Sequence, residues 1–261
     1  MSSLSLAVRD SSTMLRRNLL HARRYPSLTL NLLLTPVMLL LLFVYIFGDT
    51  MSAGIGGGNR SAYIAYLVPG ILLMTIGSTT IGTAVSVATD MSEGIIARFR
   101  TMAVHRGSVL IGHVAGSVLQ AVAGVVLVGA VGVAIGFRSV GATPLEWLAA
   151  FGLLVLFALA LTWIAVGMGL ISPNAEAASN TAMPLIFLPL ISSTFVPVHS
   201  MPGWFQPVAQ YQPFTPAIET LRGLLLGTEI GNNWWIALLW CLGLTVLGYR
   251  WSQAVFNRDP Q

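Results

Sequence analysis

The 261-residue chain contains no lysine, and all 13 of its basic side chains are arginine. A phosphate-binding P-loop uses a lysine to reach the outer phosphates of a nucleotide. The glycine-rich stretch at residues 54–61 lacks the Gly-Lys pair of such a loop, so we interpret it as a flexible connector. The absence of lysine therefore excludes a P-loop ATPase within this chain.

Cysteine and charge are also scarce. Cys241 is the one cysteine, so the chain forms neither an intramolecular disulfide nor a multi-cysteine metal site. Charged residues make up 8% of the chain and apolar residues 55%, whereas soluble domains carry roughly 25% charged residues. This composition indicates a membrane protein. The net charge of +4 comes from arginines that flank apolar segments, so we expect no nucleic-acid partner.

Six apolar runs are mostly long enough to cross a bilayer, which takes roughly 20 helical residues. These predicted spans are 28–47, 62–89, 109–137, 147–171, 181–196 and 234–249. We therefore predict an all-α integral membrane protein with six transmembrane helices. The chain then divides into 1–27, an amphipathic interfacial helix; 28–196, spans one to five; 197–232, an external re-entrant hairpin; 233–251, the sixth span; and 252–261, a cytoplasmic tail.

The arginines also predict the orientation of the chain. If the N-terminus lies inside, ten of the 13 arginines fall on the cytoplasmic side, and Arg60, Arg138 and Arg222 fall outside. Arginine and lysine are enriched in cytoplasmic loops, so this imbalance places both termini in the cytoplasm. The predicted inner segment at 172–180 carries no arginine.

The first 27 residues have the pattern of an amphipathic helix. When successive residues are turned by about 100°, as in an α-helix, the apolar residues fall in one sector and five arginines fall opposite. The apolar sector contains Leu4, Val8, Leu15, Leu19 and Ala22. We expect this helix to lie on the inner leaflet as an anchor. An alternative is that it also transmits motion from a cytoplasmic partner.

The loop after the second span combines charges with an apolar ridge at helical spacing. Ile95, Phe99 and Met102 form the ridge, and acidic residues precede it, which suits the N-terminus of a short helix. Such a ridge can fill a groove on another protein, although a juxtamembrane helix that binds anionic lipid fits the same pattern. The candidate residues are Asp90, Glu93, Gly94, Ile95, Arg98, Phe99, Arg100 and Met102.

The stretch between the fifth and sixth predicted spans is broken by prolines, so one continuous spanning helix does not fit. Its apolar and aromatic content predicts short helices that dip into the outer leaflet and need protein cover where the backbone is broken. We expect Glu219 to pair with Arg222 one helical turn later. The candidate residues are Pro197, Met201, Pro202, Gly203, Trp204, Gln212, Pro213, Glu219 and Arg222.

Polar groups inside the predicted spans are few. None of the spans has an aspartate or glutamate well inside it, and a secondary carrier needs such groups to bind its coupling ion. An integral membrane enzyme needs a reactive cluster, but the histidines are scattered over different segments. Both classes stay open as alternatives. We interpret His113 in the third span as a helix-contact residue.

Three sequence blocks carry a resemblance to a known family. They are the loop from Glu93-Gly94 to Arg98-Phe99-Arg100, the turn Asn174-Ala175-Glu176-Ala177, and Phe195-Val196-Pro197 to Met201-Pro202-Gly203-Trp204, followed by Gln212-Pro213 and Leu221-Arg222. Together they resemble permeases of type-2 ABC exporters, in the daunorubicin-resistance-like branch. Relatives often have proline where this chain has Ala103.

This resemblance implies a half-transporter in a bacterial inner membrane. Two copies of the chain would pair with two copies of a separate ATP-binding subunit, which would bind ATP and magnesium, so the permease itself would hold no cofactor and no catalytic or metal site. The loop around Glu93 to Met102 would couple to that subunit. The resemblance implies export of an amphipathic drug, antibiotic or lipid-like molecule; the alternative cargo is a lipid-linked glycan or a cell-envelope lipid.

Overall fold

The computed structural model describes residues 26–54, 59–94, 106–139 and 141–257, with side chains described at 34–51, 59–94, 110–139 and 141–257. This part of the chain is helical, and it contains no β-strand. The predicted interfacial helix at 1–27 lies outside the described residues except for its last two positions. The all-helical fold class is therefore confirmed for the described part.

Ten α-helices and one 3₁₀ turn at Val198–Ser200 make up the described part of the chain. The helices are α1, Pro26–Tyr45; α2, Gly48–Gly54; α3, Arg60–Ser92; α4, Arg106–Ala134; α5, Pro144–Ile171; α6, Ala175–Ala182; α7, Pro184–Leu190; α8, Gln206–Tyr211; α9, Phe214–Leu226; and α10, Asn233–Phe256.

The ends of these helices follow from local side-chain chemistry. Asn59 accepts a hydrogen bond from the Ala62 amide at 2.9 Å and starts α3, and Asn174 accepts one from the Ala177 amide at 2.8 Å and starts α6. Both are N-caps that satisfy a backbone N–H left free by the first helical turn. Helix α9 ends at Gly227, whose φ of 70° is the left-handed conformation that favours glycine.

Helix α3 is the centre of the bundle. It contacts α1, α2, α4, α5, α6, α7 and α9, and most of its side chains are buried, from Tyr63 to Asp90. Helix α10 packs mainly on α5, at the outside of this arrangement. Any of these seven helices that moves relative to the bundle must therefore move against α3 or together with it.

Glycines allow α10 and α5 to approach closely. A Cβ atom on Gly248 would lie 2.9 Å from the backbone nitrogen of Ile164, and one on Gly167 would lie 2.5 Å from the Trp251 ring. The Ser252 hydroxyl donates a hydrogen bond to the Trp163 carbonyl at 3.1 Å across the same contact. Small residues at such crossings let two membrane helices pack backbone against backbone.

The prediction of a continuous fifth span at 181–196 is wrong. This part of the chain forms α6 and α7, and helical structure ends at Leu190. Pro184 and Pro189 each lack the N–H that a helix interior needs. Past Leu190 the Ser192 hydroxyl donates to the Pro189 carbonyl at 2.6 Å and accepts from the Thr194 amide at 3.1 Å, and these bonds replace the helical ones.

The other predicted spans correspond to single helices with shifted ends. Helices α3, α4, α5 and α10 contain most of the predicted spans at 62–89, 109–137, 147–171 and 234–249, and α10 continues to Phe256. Within the described residues, three helices are long and apolar enough to cross a membrane, namely Arg60–Ser92, Leu110–Ala134 and Pro144–Ile171. Several apolar helices capable of spanning are thus present.

Candidate functional site

Helix α9 reaches the middle of the bundle. The Phe214 ring packs edge-on against the Phe157 ring with 4.9 Å between centroids, and a Cβ atom on Gly77 would lie 3.6 Å from the Phe214 ring. Phe157 and Gly77 lie near the midpoints of the long helices α5 and α3. At its other end, the Leu225 carbonyl accepts a hydrogen bond from Ser139 at 2.6 Å. Helix α9 therefore runs from mid-bundle to the loop that follows α4.

A buried glutamine shapes the turn at which α9 begins. Gln212 is 8% exposed, and its side-chain oxygen accepts from the Phe214 amide at 3.2 Å. Its Nε2 donates to the Thr215 hydroxyl at 3.3 Å, and that hydroxyl donates to the Ala209 carbonyl at 2.5 Å. These bonds satisfy polar groups where the backbone turns inside an apolar bundle. The turn between α8 and α9 is thus closed by hydrogen bonds among its own residues.

Arg222 of α9 is buried, with 4% of its surface exposed. Its Nε donates to the Tyr66 carbonyl at 3.0 Å, one guanidinium nitrogen donates to the Ser193 carbonyl at 2.6 Å, and the other donates to the Glu219 carboxylate at 2.7 Å. The predicted pair of Glu219 and Arg222 is therefore present. Arg222 also joins three separate elements: α3, the turn after α7, and α9.

Tyr66 completes this cluster. The Arg222 guanidinium lies over the Tyr66 ring, 3.5 Å from its centroid, which is a cation–π geometry. The Tyr66 hydroxyl donates to the same Ser193 carbonyl at 2.9 Å. We name Tyr66, Ser193, Thr194, Glu219 and Arg222 the Arg222 cluster. Its members satisfy backbone carbonyls that the broken segment after α7 leaves without helical partners.

Of the remaining predicted hairpin residues, Pro202, Gly203 and Trp204 are exposed, whereas Pro197, Met201 and Pro213 are half-buried. Trp204 is 80% exposed, and its ring packs edge-on against Phe205 with 5.4 Å between centroids. The Met201 carbonyl accepts from the Gln206 side chain at 2.9 Å. Pro197 and Pro202 flank the 3₁₀ turn, and nothing lies within 4 Å of a Cβ atom on Gly203. This exposed apolar tip contrasts with the buried Arg222 cluster.

The opposite end of α3 carries a second polar contact. The Nε2 atom of His113 on α4 lies 3.1 Å from the Asp90 carboxylate, and both side chains are buried. Helix α3 ends just beyond, with Glu93 as its C-cap and Gly94 at a φ of 68°. Ile95, Arg98, Phe99, Arg100 and Met102 of the predicted coupling loop lie outside the described residues. The interpretation of His113 as a helix-contact residue agrees with this pair.

Sequence reasoning missed Tyr66, Ser193 and Thr194 as members of a site. No local pattern connects them, because they lie on α3 and on the turn after α7, far along the chain from Arg222. One signal was available: Arg222 is followed by the apolar run Gly223 to Leu226. An arginine placed among apolar membrane residues usually has a specific buried partner.

The fold and these clusters define a class of protein. Long apolar helices, a bundle centred on α3 and polar groups satisfied inside it are the features of a polytopic helical membrane protein. Residues 10–226 match the family model described as ABC-2 type transporter, and the chain belongs to this family.

Two relatives show where in the family the similarity lies. The chain is 29% identical over 240 residues to the daunorubicin resistance ABC transporter permease protein DrrB1 of Streptomyces coeruleorubidus, covering 90% of this chain and 81% of that protein. It is 26% identical over 190 residues to the probable doxorubicin resistance ABC transporter permease protein DrrC of Mycobacterium tuberculosis, covering 68% of each. The resemblance to type-2 ABC permeases is confirmed, and the chain is an integral membrane permease.

Proposed function

We propose that this chain is the membrane subunit of an ATP-driven exporter of amphipathic compounds, in the manner that the names of its relatives indicate. The observation that carries the proposal is the similarity to a daunorubicin resistance permease over 90% of the chain. The apolar character of the bundle is consistent with such a cargo. Daunorubicin is therefore the first compound to test.

The energy source in this proposal is a separate ATP-binding subunit. The chain has no lysine with which to build a P-loop, and permeases of ABC transporters act with ATP-binding partners. Two permease copies and two such subunits would form the transporter, with ATP and magnesium held by the partner. The permease would move its cargo without making or breaking a covalent bond.

The proposed topology has six crossings, with α1, α3, α4, α5, α10 and the broken segment α6–α7 as the crossing elements. Both termini would lie in the cytoplasm of a bacterial cell, as the arginine distribution predicts. The Ser92 end of α3 would then face the cytoplasm, and the Arg60 end would face outward. In this orientation α8 and α9 form a re-entrant hairpin, because α9 starts level with Phe157 at mid-bundle and returns to the outer side.

The segment after Ser92 would contact the ATP-binding subunit. It combines the charges and the apolar ridge expected of a docking helix. The Asp90 and His113 contact joins the last turn of α3 to α4, which are the two helices that this segment connects. A force applied to the segment would therefore pass first into α3 and α4.

The proposal is tested by producing the chain together with a candidate ATP-binding subunit of an ABC transporter from the same genome. A tag on the permease alone should recover both proteins, and ATP hydrolysis by the purified complex in lipid should rise when daunorubicin is added. A complex stimulated instead by a lipid-linked glycan or a cell-envelope lipid would support export but change the cargo. A permease that recovers no ATP-binding subunit would contradict the proposal.

A further inference from the structure

Helix α3 carries a buried polar contact near each of its ends. Tyr66 accepts from Arg222 through its carbonyl at 3.0 Å, and Asp90 lies 3.1 Å from His113. A rise of 1.5 Å per residue puts these two positions about 36 Å apart along one continuous helix. The first contact holds α9, and the second holds α4 beside the segment that follows Ser92.

The Arg222 cluster lies beside the proline inside α3. Pro69 stands inside this helix, and a proline there removes one backbone hydrogen bond and permits a kink. Arg222 holds Tyr66 on one side of Pro69. On the other side Thr194 fills the space next to Gly70, since a Cβ atom there would lie 2.8 Å from the Thr194 methyl group. The cluster thus clamps α3 on both sides of its proline.

The chemistry of the cluster requires an arginine. Arg222 donates in three directions at once, to the Tyr66 carbonyl, the Ser193 carbonyl and the Glu219 carboxylate, while its flat face covers the Tyr66 ring. A planar guanidinium has fixed donors and a stacking face, whereas a lysine ammonium is a single point charge. Lysine at this position would keep the charge but leave carbonyls without a donor.

We propose that Arg222 is a positioning residue that fixes α9 and the Ser193–Thr194 turn to α3, so that α3 and the hairpin move as one body during transport. This inference rests on the proposed function, because it takes the segment after Ser92 as the place at which the ATP-binding subunit acts on α3. Movement applied at the Ser92 end would then reach the hairpin through α3. Loss of the clamp would let α3 move while α9 stays behind.

The first experiment compares transport with ATP hydrolysis in the same preparation. The complex of permease and ATP-binding subunit, reconstituted in liposomes, is assayed for both with Arg222→Lys. We expect the variant to assemble and hydrolyse ATP, and to move about tenfold less daunorubicin per ATP, a size typical of coupling between two sites. Glu219→Gln keeps both carbonyl contacts of Arg222, so we expect a smaller loss of daunorubicin moved per ATP than with Arg222→Lys.

The matched control is Arg138→Lys. The Arg138 side chain donates to the Val133 carbonyl at the end of α4 and to the Phe137 carbonyl in the loop that follows, both at 2.9 Å, and it touches no member of the Arg222 cluster in the described contacts. We expect Arg138→Lys to keep the ratio of transport to hydrolysis of the original complex. An equal loss in both variants would mean that the effect is not specific to the clamp, and the inference would be wrong.

A second measurement tests whether Arg222 holds the Ser193–Thr194 turn in place, and it does not depend on transport. Thr194 is fully buried, so Thr194→Cys, made in a Cys241→Ala background, should react slowly with a membrane-impermeant maleimide. Adding Arg222→Lys should raise the labelling rate about tenfold. A change of this size is typical when an interaction that couples two parts of a protein is lost. Labelling that stays as slow with Arg222→Lys as without it would overturn the inference.

Two safeguards keep the outcomes separable. If Arg222→Lys fails to assemble, Tyr66→Phe replaces it, since this change removes the hydroxyl bond to Ser193 and keeps the ring beneath Arg222. It should lower transport per ATP and raise labelling in the same direction, and unchanged values in both assays would refute the clamp. If the original complex does not transport at all, the proposed function fails, while the labelling of Thr194→Cys still decides whether Arg222 holds the hairpin.

Discussion

Asp90 on α3 and His113 on α4 form a buried contact of 3.1 Å between helices that are consecutive in the chain. The contact links α3, which precedes the predicted coupling loop, to α4, which follows it. Burial of a carboxylate is costly unless it has partners, and the His113 imidazole is one partner of Asp90. It joins the two helices that flank the segment proposed to meet the ATP-binding subunit.

Replacing His113 by alanine should destabilise the chain. The change removes a partner of a buried carboxylate, which costs about 1–3 kcal/mol of folding free energy. His113→Gln restores a donor and should recover part of the loss. Thermal unfolding in detergent, followed by the near-ultraviolet signal of the tryptophans, measures both variants. Equal midpoints for His113→Ala and the original chain would contradict this account of the pair.

The close crossing of α10 and α5 predicts a sharp difference between two glycines. A Cβ atom on Gly248 would press on the backbone of Trp163 and Ile164 at 2.9 Å, whereas Gly243 on the same helix has nothing within 4 Å. Gly248→Ala should therefore cost about 1–3 kcal/mol through overpacking. Gly243→Ala should be neutral or stabilise the helix by up to about 1 kcal/mol, since alanine favours helices.

The same unfolding assay tests both alanine variants. The expected order of midpoints places Gly248→Ala below the original chain and Gly243→Ala at or above it. If both variants unfold together with the original chain, α10 does not pack on α5 as described.

Phe214 should be the main apolar anchor of the hairpin. Its ring is fully buried and meets Phe157 edge-on at 4.9 Å. Phe214→Ala should cost about 3–5 kcal/mol, and Phe214→Leu should cost less. Tyr211 is 59% exposed, so Tyr211→Ala is the control that should change stability little. Comparable losses for Phe214→Ala and Tyr211→Ala would argue against insertion of α9 into the bundle.

The predicted coupling loop is testable although Arg98 and Phe99 lie outside the described residues. If Phe99 fills a groove on the ATP-binding subunit, Phe99→Ala should separate ATP hydrolysis from transport while the permease stays folded and inserted. Arg98→Ala should act in the same direction. Hydrolysis and transport are measured on the purified complex, and unchanged coupling in both variants would remove this loop from the proposed mechanism.

The long helices could be predicted from the sequence because each is specified locally. An apolar run of the right length was enough to place α3, and the Asn59 N-cap in the structure explains where the helix starts. The Glu219 and Arg222 pair could be predicted for the same reason, since three residues of helix bring the two side chains together.

The break in the predicted fifth span and the partners of Arg222 and His113 could not be predicted in this way. They depend on tertiary contacts or on side chains that end a helix locally. The predicted fifth span looked continuous by hydropathy, but two prolines and the hydroxyls after Leu190 end the helix. Arg222 was assigned to the outer side of the membrane as the partner of Glu219, but its contacts with Tyr66 and Ser193 could not be predicted, because these acceptors come from elsewhere in the chain. His113 and Asp90 likewise meet only when α3 and α4 pack together.

The central claim is that this permease moves an amphipathic compound at the expense of ATP hydrolysed by a separate subunit. Its most direct test is the uptake of daunorubicin into inside-out membrane vesicles that contain both proteins. The account predicts uptake that requires ATP and both subunits and that continues when ion gradients are collapsed. Uptake by the permease alone, driven by an ion gradient and indifferent to ATP, would contradict it and identify a secondary carrier.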